Sequence, residues 1–526
     1  MNGKAQGLVR GTASLYKKLL AVCLGALLAG CGSLPSLEGR VVSVAAVDTE
    51  ATRLGRAIAP RLAQHPGRSG IRPLGDGHDA FAARMLLART AERTLDVQYY
   101  IWDDDNSGRM LLAALHAAAE RGVRVRLLLD DNGIAGLDET LAALHAHPNL
   151  EVRLFNPFTV RSSRAIGYLT DFGRLNRRMH NKSFTADNQA TIVGGRNVGD
   201  AYFGVSESLL FVDLDVLAVG PAARDVSADF DRYWASQSAY PLDLIVPAVY
   251  TERRLELITR LRQAEREPAS AAYVRAVRES GLVHELTSGS LALEWATTHL
   301  VSDDPAKGLG QVEPGSAGLL RSKLSEAIGT PTSDLTLVSA YFVPAAAGTD
   351  AFASLARSGV KVSVLTNALE ATDVVPVHAG YARRRDALLD AGVRLWELRR
   401  TGPRQLEQTG RSLVGSSASS LHAKTFVVDD TRVFVGSFNF DPRSLALNTE
   451  LGLVIDSPVL ARDFARSFER SVSQSAYEVT RDEEGRLVWL ERRGTQVVRH
   501  HVEPGSSVWR RAAVRFMALL PIEWLL

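Results

Sequence analysis

Two short His-x-Lys motifs carry the side chains best suited to chemistry. His180 and Lys182 form the first motif, and His422 and Lys424 form the second. Near neutral pH an imidazole can act as a nucleophile or as a general acid and base, and a lysine ammonium binds phosphate as a point charge. A pocket with two of each would suit a phosphodiester. A neutral histidine would attack phosphorus, and a protonated histidine would give its proton to the departing alcohol oxygen.

The two motifs belong to a longer repeated pattern. In each copy a Lys follows the His by two positions, an Asp by seven, then a Gly comes seven after the Asp and an Asn three after the Gly. Two copies that agree in spacing over 18 positions are not explained by chance or by a purely structural role. The members are His180, Lys182, Asp187, Gly194 and Asn197 in the first copy, and His422, Lys424, Asp429, Gly436 and Asn439 in the second.

The surrounding sequence predicts a strand, a helix and a second strand in each half. These segments are Leu95–Trp102, Gly108–Glu120 and Arg121–Leu129, then Leu337–Pro344, Asp350–Arg357 and Ser358–Leu365. Such βαβ units imply parallel-rich sheets covered by helices, so the predicted fold class is α/β with two similar domains. Residues i and i+2 of a strand share a face. Each His and Lys therefore project together, and pairing the domains across a pseudo-twofold would give one shared active site.

The predicted domain boundaries follow from this repeat. They are a signal segment at 1–31, an N-terminal linker at 32–70, a first domain at 71–249, a linker or insertion at 250–316, a second domain at 317–476 and a C-terminal extension at 477–526.

The double motif resembles the HxK(x)4D signature of the phospholipase D superfamily. Other stretches are similar to C-type cardiolipin synthases and phospholipase D-like lipoproteins, namely residues 154–158, 178–182, 194–197, 378–381 and 521–526. This resemblance implies transfer of a phosphatidyl group to an alcohol through a phosphohistidine, with phosphatidylglycerol and phosphatidylethanolamine as substrates and no cofactor or metal. It assigns His180 as nucleophile and His422 as acid and base. The near symmetry of the two copies leaves the reverse assignment open.

Further residues are expected to support these histidines. A carboxylate commonly fixes the tautomer of a catalytic histidine, and Asp213 and Glu450 resemble the family's orienting acids. Asp215 is an alternative to Asp213, and exposed strand acids are the structural alternative for both. Three polar residues are expected to bind phosphate, with helix capping as the alternative for the two amides: Asn197, Asn439 and Ser437.

Two further features of the repeat concern the signature aspartates and the position equivalent to Ser437. Asp187 and Asp429 join the catalytic set as signature residues. Because an offset of seven points them away from the histidines in a continuing strand, a turn or polar-network role is the better expectation. Gly195 stands where the second half has Ser437, so the first half lacks that hydroxyl.

Charge separates the candidate functions. The chain has 61 Lys and Arg and 59 Asp and Glu, and four of the basic residues but no acidic ones lie in the first 30, leaving 57 against 59. Proteins that bind nucleic acid through phosphates usually carry a basic surplus, so a nuclease is disfavoured and no nucleic-acid partner is expected. Hydrolysis of phospholipids to phosphatidic acid and a noncatalytic membrane scaffold remain alternatives.

The first residues are typical of a lipoprotein signal peptide. Basic residues precede an apolar stretch from Leu19 to Gly30, and Leu28-Ala29-Gly30-Cys31 resembles a lipobox whose Cys is lipidated. Gly32 follows, where an Asp would indicate inner-membrane retention. A membrane lipoprotein facing the periplasm is therefore expected, with the outer membrane weakly favoured. An uncleaved anchor is the alternative. The only other cysteine is Cys23, so the mature chain would have no disulfide.

Three remaining features have mainly structural interpretations. The segment Trp509–Leu526 predicts a basic amphipathic helix, either docked on the core or lying on a membrane. The acidic runs Asp103–Asp105, Asp130–Asp131 and Asp303–Asp304 are interpreted as loop or surface acids. Tyr99, Tyr100 and Trp102 are interpreted as core residues, with the alternative that a strand end near a pocket shapes a lipid site.

Overall fold

The computed structural model of the chain describes residues 34–526 except residues 162, 205–209, 283, 284, 286, 287, 289, 314 and 401–418. The proposed signal segment and Cys31 lie outside the described residues. The strands are β1 Ser69–Leu74, β2 Thr94–Ile101, β3 Arg124–Gly133, β4 Leu150–Phe155, β5 Ser183–Ala186, β6 Ala190–Gly194, β7 Leu210–Val212, β8 Asp215–Val219, β9 Ala239–Pro241, β10 Glu294–Ser302, β11 Asp334–Ser339, β12 Lys361–Asn367, β13 Arg394–Leu398, β14 Ser419–Leu421, β15 Lys424–Val428, β16 Arg432–Gly436, β17 Leu451–Asp456, β18 Ala476–Arg481, β19 Leu487–Arg493 and β20 Gln496–His500.

Helices cover this framework in both halves. They are α1 Arg53–Gln64, α2 Gly77–Thr90, α3 Asn106–Glu120, α4 Asp138–His145, α5 Arg164–Thr170, α6 Phe172–Leu175, α7 Asp200–Phe203, α8 Pro221–Trp234, α9 Thr251–Gln263, α10 Ala271–Glu279, α11 Leu320–Ile328, α12 Ala345–Arg357, α13 Val375–Ala382, α14 Arg385–Asp390, α15 Pro442–Ala446, α16 Pro458–Ser475 and α17 Val508–Ala518. None of the helices in the described part of the chain has both the length and the apolar character needed to span a bilayer.

One continuous sheet joins the two halves. Its strand order is β9-β4-β3-β2-β5-β6-β8-β1-β10-β17-β16-β15-β11-β12-β13-β18-β19-β20. The order is nearly symmetric about the antiparallel pair β1–β10, with β2 of the first half matching β11 of the second and β5 matching β15. The two α/β domains are therefore related by a pseudo-twofold, as the internal repeat predicts.

Apolar side chains from both halves meet under the central strands. One buried cluster combines Val193 and Val216 of the first half with Val427 and Leu453 of the second. Each half also has its own core between its sheet and its helices. Burying apolar surface contributes roughly 25 cal/mol for each Å² removed from water, so the shared cluster holds the two halves together.

The first predicted βαβ unit matches β2, α3 and β3 to within a few residues. Helix α3 begins where the Asp105 carboxylate accepts a hydrogen bond from the Gly108 amide at 3.0 Å. The strand predicted at Leu337–Pro344 is wrong at both ends, because β11 spans Asp334–Ser339 and the chain then turns out of the sheet into α12.

The expectation of a parallel-rich sheet is also corrected. Among the described strands of this sheet, only β2–β3, β3–β4, β11–β12 and β12–β13 pair in parallel.

Two segments expected to lie outside the domains contain strands of the sheet. The linker predicted at 250–316 includes β10, which pairs with β1 on one side and β17 on the other. Only Ala296, Val301 and Ser302 of its nine residues are buried, while Thr297 and His299 are exposed, so its sequence shows no clear apolar period. The predicted extension at 477–526 begins inside β18, which pairs with β13.

Candidate active site

The two His-x-Lys motifs lie in extended segments that enter β5 and β15. The His180 amide donates to the Thr449 carbonyl at 2.9 Å, and the His422 amide donates to the Val212 carbonyl at 2.8 Å. Each motif is thus attached through its backbone to the other half of the chain. All four histidine and lysine side chains are buried. The structure therefore brings both motifs into one site between the two halves.

The carboxylates that hold the histidines also cross between halves. Nδ1 of His180 lies 2.8 Å from Oε2 of Glu450, and Nδ1 of His422 lies 2.5 Å from Oδ2 of Asp213. A proton on Nδ1 facing a carboxylate leaves Nε2 as the reactive nitrogen of each ring. Asp213 and Glu450 therefore occupy the positions expected of orienting acids. The alternative Asp215 instead receives hydrogen bonds from Arg84 and from the Arg196 amide.

The two acids have different surroundings. The Ser437 hydroxyl donates to Glu450 Oε2 and accepts from the Leu451 amide at 3.0 Å. In the first half, a Cβ at Gly195 would lie only 2.2 Å from Asp213 Oδ1. The Gly at this position leaves room for Asp213, whereas Ser437 supplies Glu450 with a donor. This contact occupies the hydroxyl that the sequence assigned to phosphate.

The buried ion pair between Asp303 and Lys307 holds the backbone of Glu450 in place. The Asp303 carboxylate accepts from the Glu450 amide and from Lys307 Nζ, both at 2.9 Å. Asp130 does the same for the first motif, because it accepts from Arg178 at 2.7 Å and from the Met179 amide at 2.8 Å. Asp130 lies near the end of β3 and Asp303 directly follows β10, so the expected strand-end positions are correct, but neither acid is on the surface. Both are fully buried beside the backbone that carries the site, and no set of three potential metal-ligating residues is found in the part of the chain that the structure describes.

The buried charges shift the protonation of the site. Burial lowers the pKa of His180 well below its usual range, and the Lys182 and Lys424 ammonium groups lower it further. Burial, together with Lys424, lowers the pKa of Lys182 to about 7, and burial also lowers the pKa of Lys424. Both histidines thus experience two nearby cations, and an anionic substrate would relieve this repulsion.

The orienting acids are shifted in opposite directions. Burial raises the pKa of Glu450 to about 7, although Lys182 opposes this shift. Burial acts in the same direction on Asp213, but the His422 ring and the Lys424 ammonium outweigh it and lower the pKa of that carboxyl. The pKa of His422 is lowered by burial and by Lys424, although Asp213 opposes the shift. Asp213 is therefore the more readily ionised of the two acids, and Glu450 the less readily ionised.

Two tyrosines complete the surroundings of the histidines. The Tyr100 ring meets His180 edge to face at a centroid distance of 5.1 Å, and Tyr202 meets His422 similarly at 5.2 Å. Tyr99 and Trp102 are fully buried core residues, as predicted, but Tyr100 is only partly buried and faces the site. Its place at the end of a parallel strand, where sites commonly form, was the available signal. No pattern in the sequence identifies Tyr202.

The signature aspartates lie in the hairpin turns after β5 and β15. Oδ1 of Asp187 accepts from the amides of Glu92, Arg93 and Thr94 at 2.7–3.2 Å. Asp429 receives the same kind of bonds from the amides of residues 332–334. Their inclusion in the catalytic set is therefore corrected. Each carboxylate ties its hairpin to the backbone leading into β2 or β11, which is a polar-network role.

The two expected phosphate-binding asparagines follow β6 and β16. Oδ1 of Asn197 accepts from the Ile101 amide at 3.2 Å, which joins its loop to the end of β2. Asn439 is buried in the equivalent loop. Neither is the N-cap of the next helix, because Gly199 precedes α7 and Asp441 caps α15. The helix-capping alternative is therefore wrong for both residues.

Comparisons with known proteins agree with this architecture. A family profile described as "Cardiolipin synthase, PLD-like domain" matches residues 86–234 and again residues 324–472. The chain belongs to this phospholipase D-like family. It is 50% identical to "Cardiolipin synthase C" of Escherichia coli (strain K12) over 476 residues, which cover 90% of this chain and 100% of that protein.

One further relative and one solved structure extend the comparison. An uncharacterised protein of Helicobacter pylori (strain ATCC 700392 / 26695) is 30% identical over 90% of this chain and 93% of its own length. The crystal structure of phosphatidylserine synthase from Haemophilus influenzae Rd KW20 matches with a TM-score of 0.55 and 15% identity, covering 89% of this chain and 100% of that one. At this identity the last match shows a common fold.

The asymmetry between Gly195 and Ser437 gives a direct test of the site. Gly195→Ala should displace Asp213 from His422, because the new Cβ cannot lie 2.2 Å from a carboxylate oxygen. A displacement of about 1 Å can cost on the order of 100-fold in rate, and we expect a loss of that size in phosphodiester turnover. Steady-state kinetics on purified, folded variants would measure it.

Ser437→Ala is the matched control, because it changes the equivalent position without adding volume. It removes one hydrogen bond to Glu450 and should cost roughly tenfold or less, in line with about 1 kcal/mol for such a bond. Equal rates for Gly195→Ala and the unmodified chain would contradict the role given to Asp213.

Proposed function

We propose that this chain is a phosphatidyltransferase of the cardiolipin synthase type. The observation that carries the proposal is the pair of buried histidines, each held at Nδ1 by a carboxylate of the other half and flanked by two lysines. Identity of 50% to E. coli cardiolipin synthase C along nearly the whole chain supports the same class of substrate. We infer phosphatidylglycerol as acceptor, and phosphatidylglycerol or phosphatidylethanolamine as donor.

The proposed reaction proceeds in two displacements at phosphorus. Nε2 of His180 attacks the donor phosphodiester, the bond from phosphorus to the headgroup oxygen breaks, and His422 gives its proton to that oxygen. His422 then takes a proton from a hydroxyl of phosphatidylglycerol. The resulting oxygen attacks phosphorus, the bond to His180 breaks, and cardiolipin leaves. Lys182 and Lys424 stabilise the negative charge that develops on the phosphoryl oxygens in both steps.

The different acids support this division of work. Asp213 remains ionised at neutral pH and stabilises a protonated His422, which an acid catalyst requires. Burial raises the pKa of Glu450, so this acid is less readily ionised and stabilises a charged His180 less, which leaves His180 more readily neutral and nucleophilic. The bound phosphodiester would add a negative charge beside both rings and raise the pKa of His422 toward neutrality.

Burial of the site favours transfer over hydrolysis. His180 and His422 are only 7% and 6% exposed, and both lysines are 1% exposed. A covalent phosphohistidine in such a site meets little bulk water. Asn197 and Asn439, in equivalent loops after β6 and β16, remain our candidates for donating hydrogen bonds to phosphoryl oxygens. Ser437 would contribute through its bond to Glu450.

A product assay tests the proposed function. The full-length chain would be mixed with vesicles of phosphatidylglycerol and phosphatidylethanolamine, and lipids would be separated by mass. We expect cardiolipin with the unmodified chain and its loss, by 1000-fold or more, with His180→Asn, because no other group replaces the nucleophile.

His501→Asn is the control, because His501 has an exposed side chain and the substitution is chemically the same. It should keep full activity. Phosphatidic acid as the sole product would make the chain a hydrolase, and no lipid product from the folded chain would contradict a lipid substrate.

We also propose that Cys31 is lipidated and anchors the mature chain to a membrane facing the periplasm. The support is the lipobox pattern from Leu28 to Cys31 and the lipid substrate inferred above. A multiply acylated cysteine anchors a protein stably, whereas a single chain binds only marginally. Gly32 favours the outer membrane.

Membrane fractionation with labelled fatty acid tests the anchor. Cys31→Ser should lose the label and its outer-membrane sorting, whereas Cys23→Ser, in the same apolar segment, should keep both. Label retained by Cys31→Ser would show that the anchor lies elsewhere, and an unlabelled chain held in the inner membrane would favour an uncleaved segment.

A further inference from the structure

The last helix is docked on the second half by one side only. Val514 is buried against Leu369 and Ala379, and Arg510 donates to the Thr372 carbonyl at 2.9 Å. Arg384 and Glu523 form a two-pronged ion pair with distances of 3.0 and 2.7 Å, which fixes the residues after the helix. The docked interpretation of this segment is therefore correct for the inner side of α17.

The outer side of this segment is apolar and exposed. Trp509 is 85% exposed, Leu519 82%, and Phe516 and Trp524 are also exposed. Trp509 and Phe516 are seven residues apart, so they lie on one face of α17. We call these four residues the tail face. Tryptophan and phenylalanine on an exposed helix face are typical of segments that enter the interface of a bilayer.

A second exposed apolar set lies in the first half. Ile166, Leu169 and Phe172, on α5 and α6, are 41%, 86% and 46% exposed. We call them the α5–α6 face. The two faces are connected through Arg443. Its side chain donates to the Asn176 carbonyl at 2.6 Å, just after α6, and its amide donates to the Leu526 carbonyl at 2.8 Å.

Both faces adjoin the active site. Tyr168 of α5 donates to Asn132 at 3.0 Å, and Asn132 donates to the Tyr100 hydroxyl at 3.2 Å, where the Tyr100 ring packs on His180. On the other side, Arg510 donates to the carbonyl of Thr372, next to Asp373, and the negative charge of Asp373 acts on Lys424. The positive charge of Arg443 also contributes to the lowered pKa of His180.

The charge of the tail indicates what covers these faces. Helix α17 carries Arg510, Arg511 and Arg515 and no acidic residue. Basic residues around an exposed aromatic face complement an anionic bilayer surface, and each cation near such a surface contributes on the order of 1 kcal/mol. This combination of basic and exposed aromatic side chains, beside a site proposed to act on lipids, favours a bilayer over a protein partner.

We propose that the tail face and the α5–α6 face insert into the surface of an anionic bilayer and hold the adjoining active site against it. This inference rests on the proposed phospholipid substrate. It assigns to these residues a task distinct from that of the N-terminal anchor. The anchor keeps the chain near the membrane, and the two faces orient the site toward the headgroups.

Tryptophan fluorescence tests this orientation without turnover. Of the seven tryptophans, Trp102, Trp234, Trp396 and Trp489 are buried and Trp295 is partly buried, so Trp509 and Trp524 are the two that lipid can reach most directly. The full-length chain would be reconstituted in vesicles of phosphatidylcholine and phosphatidylglycerol that contain bromine-labelled acyl chains. We expect strong quenching, and its loss in the double variant Trp509→Phe, Trp524→Phe.

Trp295→Phe is the control and should leave quenching unchanged. Quenching equal in the double variant and the unmodified chain would overturn the proposal. So would vesicle-bound protein whose exposed tryptophans respond to aqueous acrylamide and not to brominated lipid, which would indicate a protein partner or a solvated surface. Because no turnover is needed, failure of the proposed reaction would not affect this result.

A kinetic comparison gives a second readout. Phe516→Ser with Leu519→Ser should lower turnover of vesicle phosphatidylglycerol several-fold more than turnover of a short-chain, monomeric phosphatidylglycerol. Leu255→Ser with Val497→Ser, at exposed apolar positions on α9 and β20, should change both equally. Equal losses on both substrates in the tail variant would contradict a membrane role.

Discussion

Each active-site histidine is hydrogen-bonded to a carboxylate from the other half of the chain, and this crossing requires the two halves to stay in register. Glu450 reaches His180, and Asp213 reaches His422. Neither half can orient its own histidine by this route. The shared sheet through β1 and β10 and the buried cluster beneath it therefore serve the chemistry as well as stability. The hairpin aspartates, Asp187 and Asp429, fix the strands that lead into the site.

The site buries two lysines and two histidines. Burial penalises each charge, which is why the pKa values of both lysines and both histidines fall. An anionic phosphodiester would compensate these charges on binding. The resulting arrangement is electrostatically prepared for phosphoryl transfer, because the positive groups need little rearrangement as charge develops. The differing pKa shifts of Asp213 and Glu450 make a symmetric framework chemically asymmetric.

Much of this arrangement could be predicted from the sequence, because repetition preserves spacing. The two motifs, the pseudo-twofold and the acids at 213 and 450 followed from equivalent positions in the two halves. The crossing did not, because periodicity shows which face a residue occupies and not which strand from the other half will face it. The sequence does not reveal strand β10, because the exposed Thr297 and His299 interrupt its buried residues. It predicts a loop or surface position for the buried Asp303, because the partners of this acid, Lys307 and the Glu450 amide, are defined only by the fold.

The C-terminal segment Trp509–Leu526 shows a related limit of prediction from sequence. Its amphipathic pattern allows both a docked helix and a membrane helix, and the structure shows the docked side together with an exposed apolar side. Val514 packs inward, while Trp509 and Phe516 remain outside. Arg443 connects this tail to the first half, so the surroundings of the site include segments from three distant parts of the chain.

The most direct test of one shared site is the stoichiometry of the covalent intermediate. The chain would be mixed rapidly with phosphatidylglycerol labelled at phosphorus and quenched in denaturant that preserves phosphohistidine, and the labelled peptide would be identified by mass. We expect at most one adduct per chain, on His180. It should form more slowly in His422→Asn, because the departing oxygen then lacks its proton donor, and it should be absent in His180→Asn. Two adducts per chain, or an adduct on His422 in the unmodified chain, would contradict it.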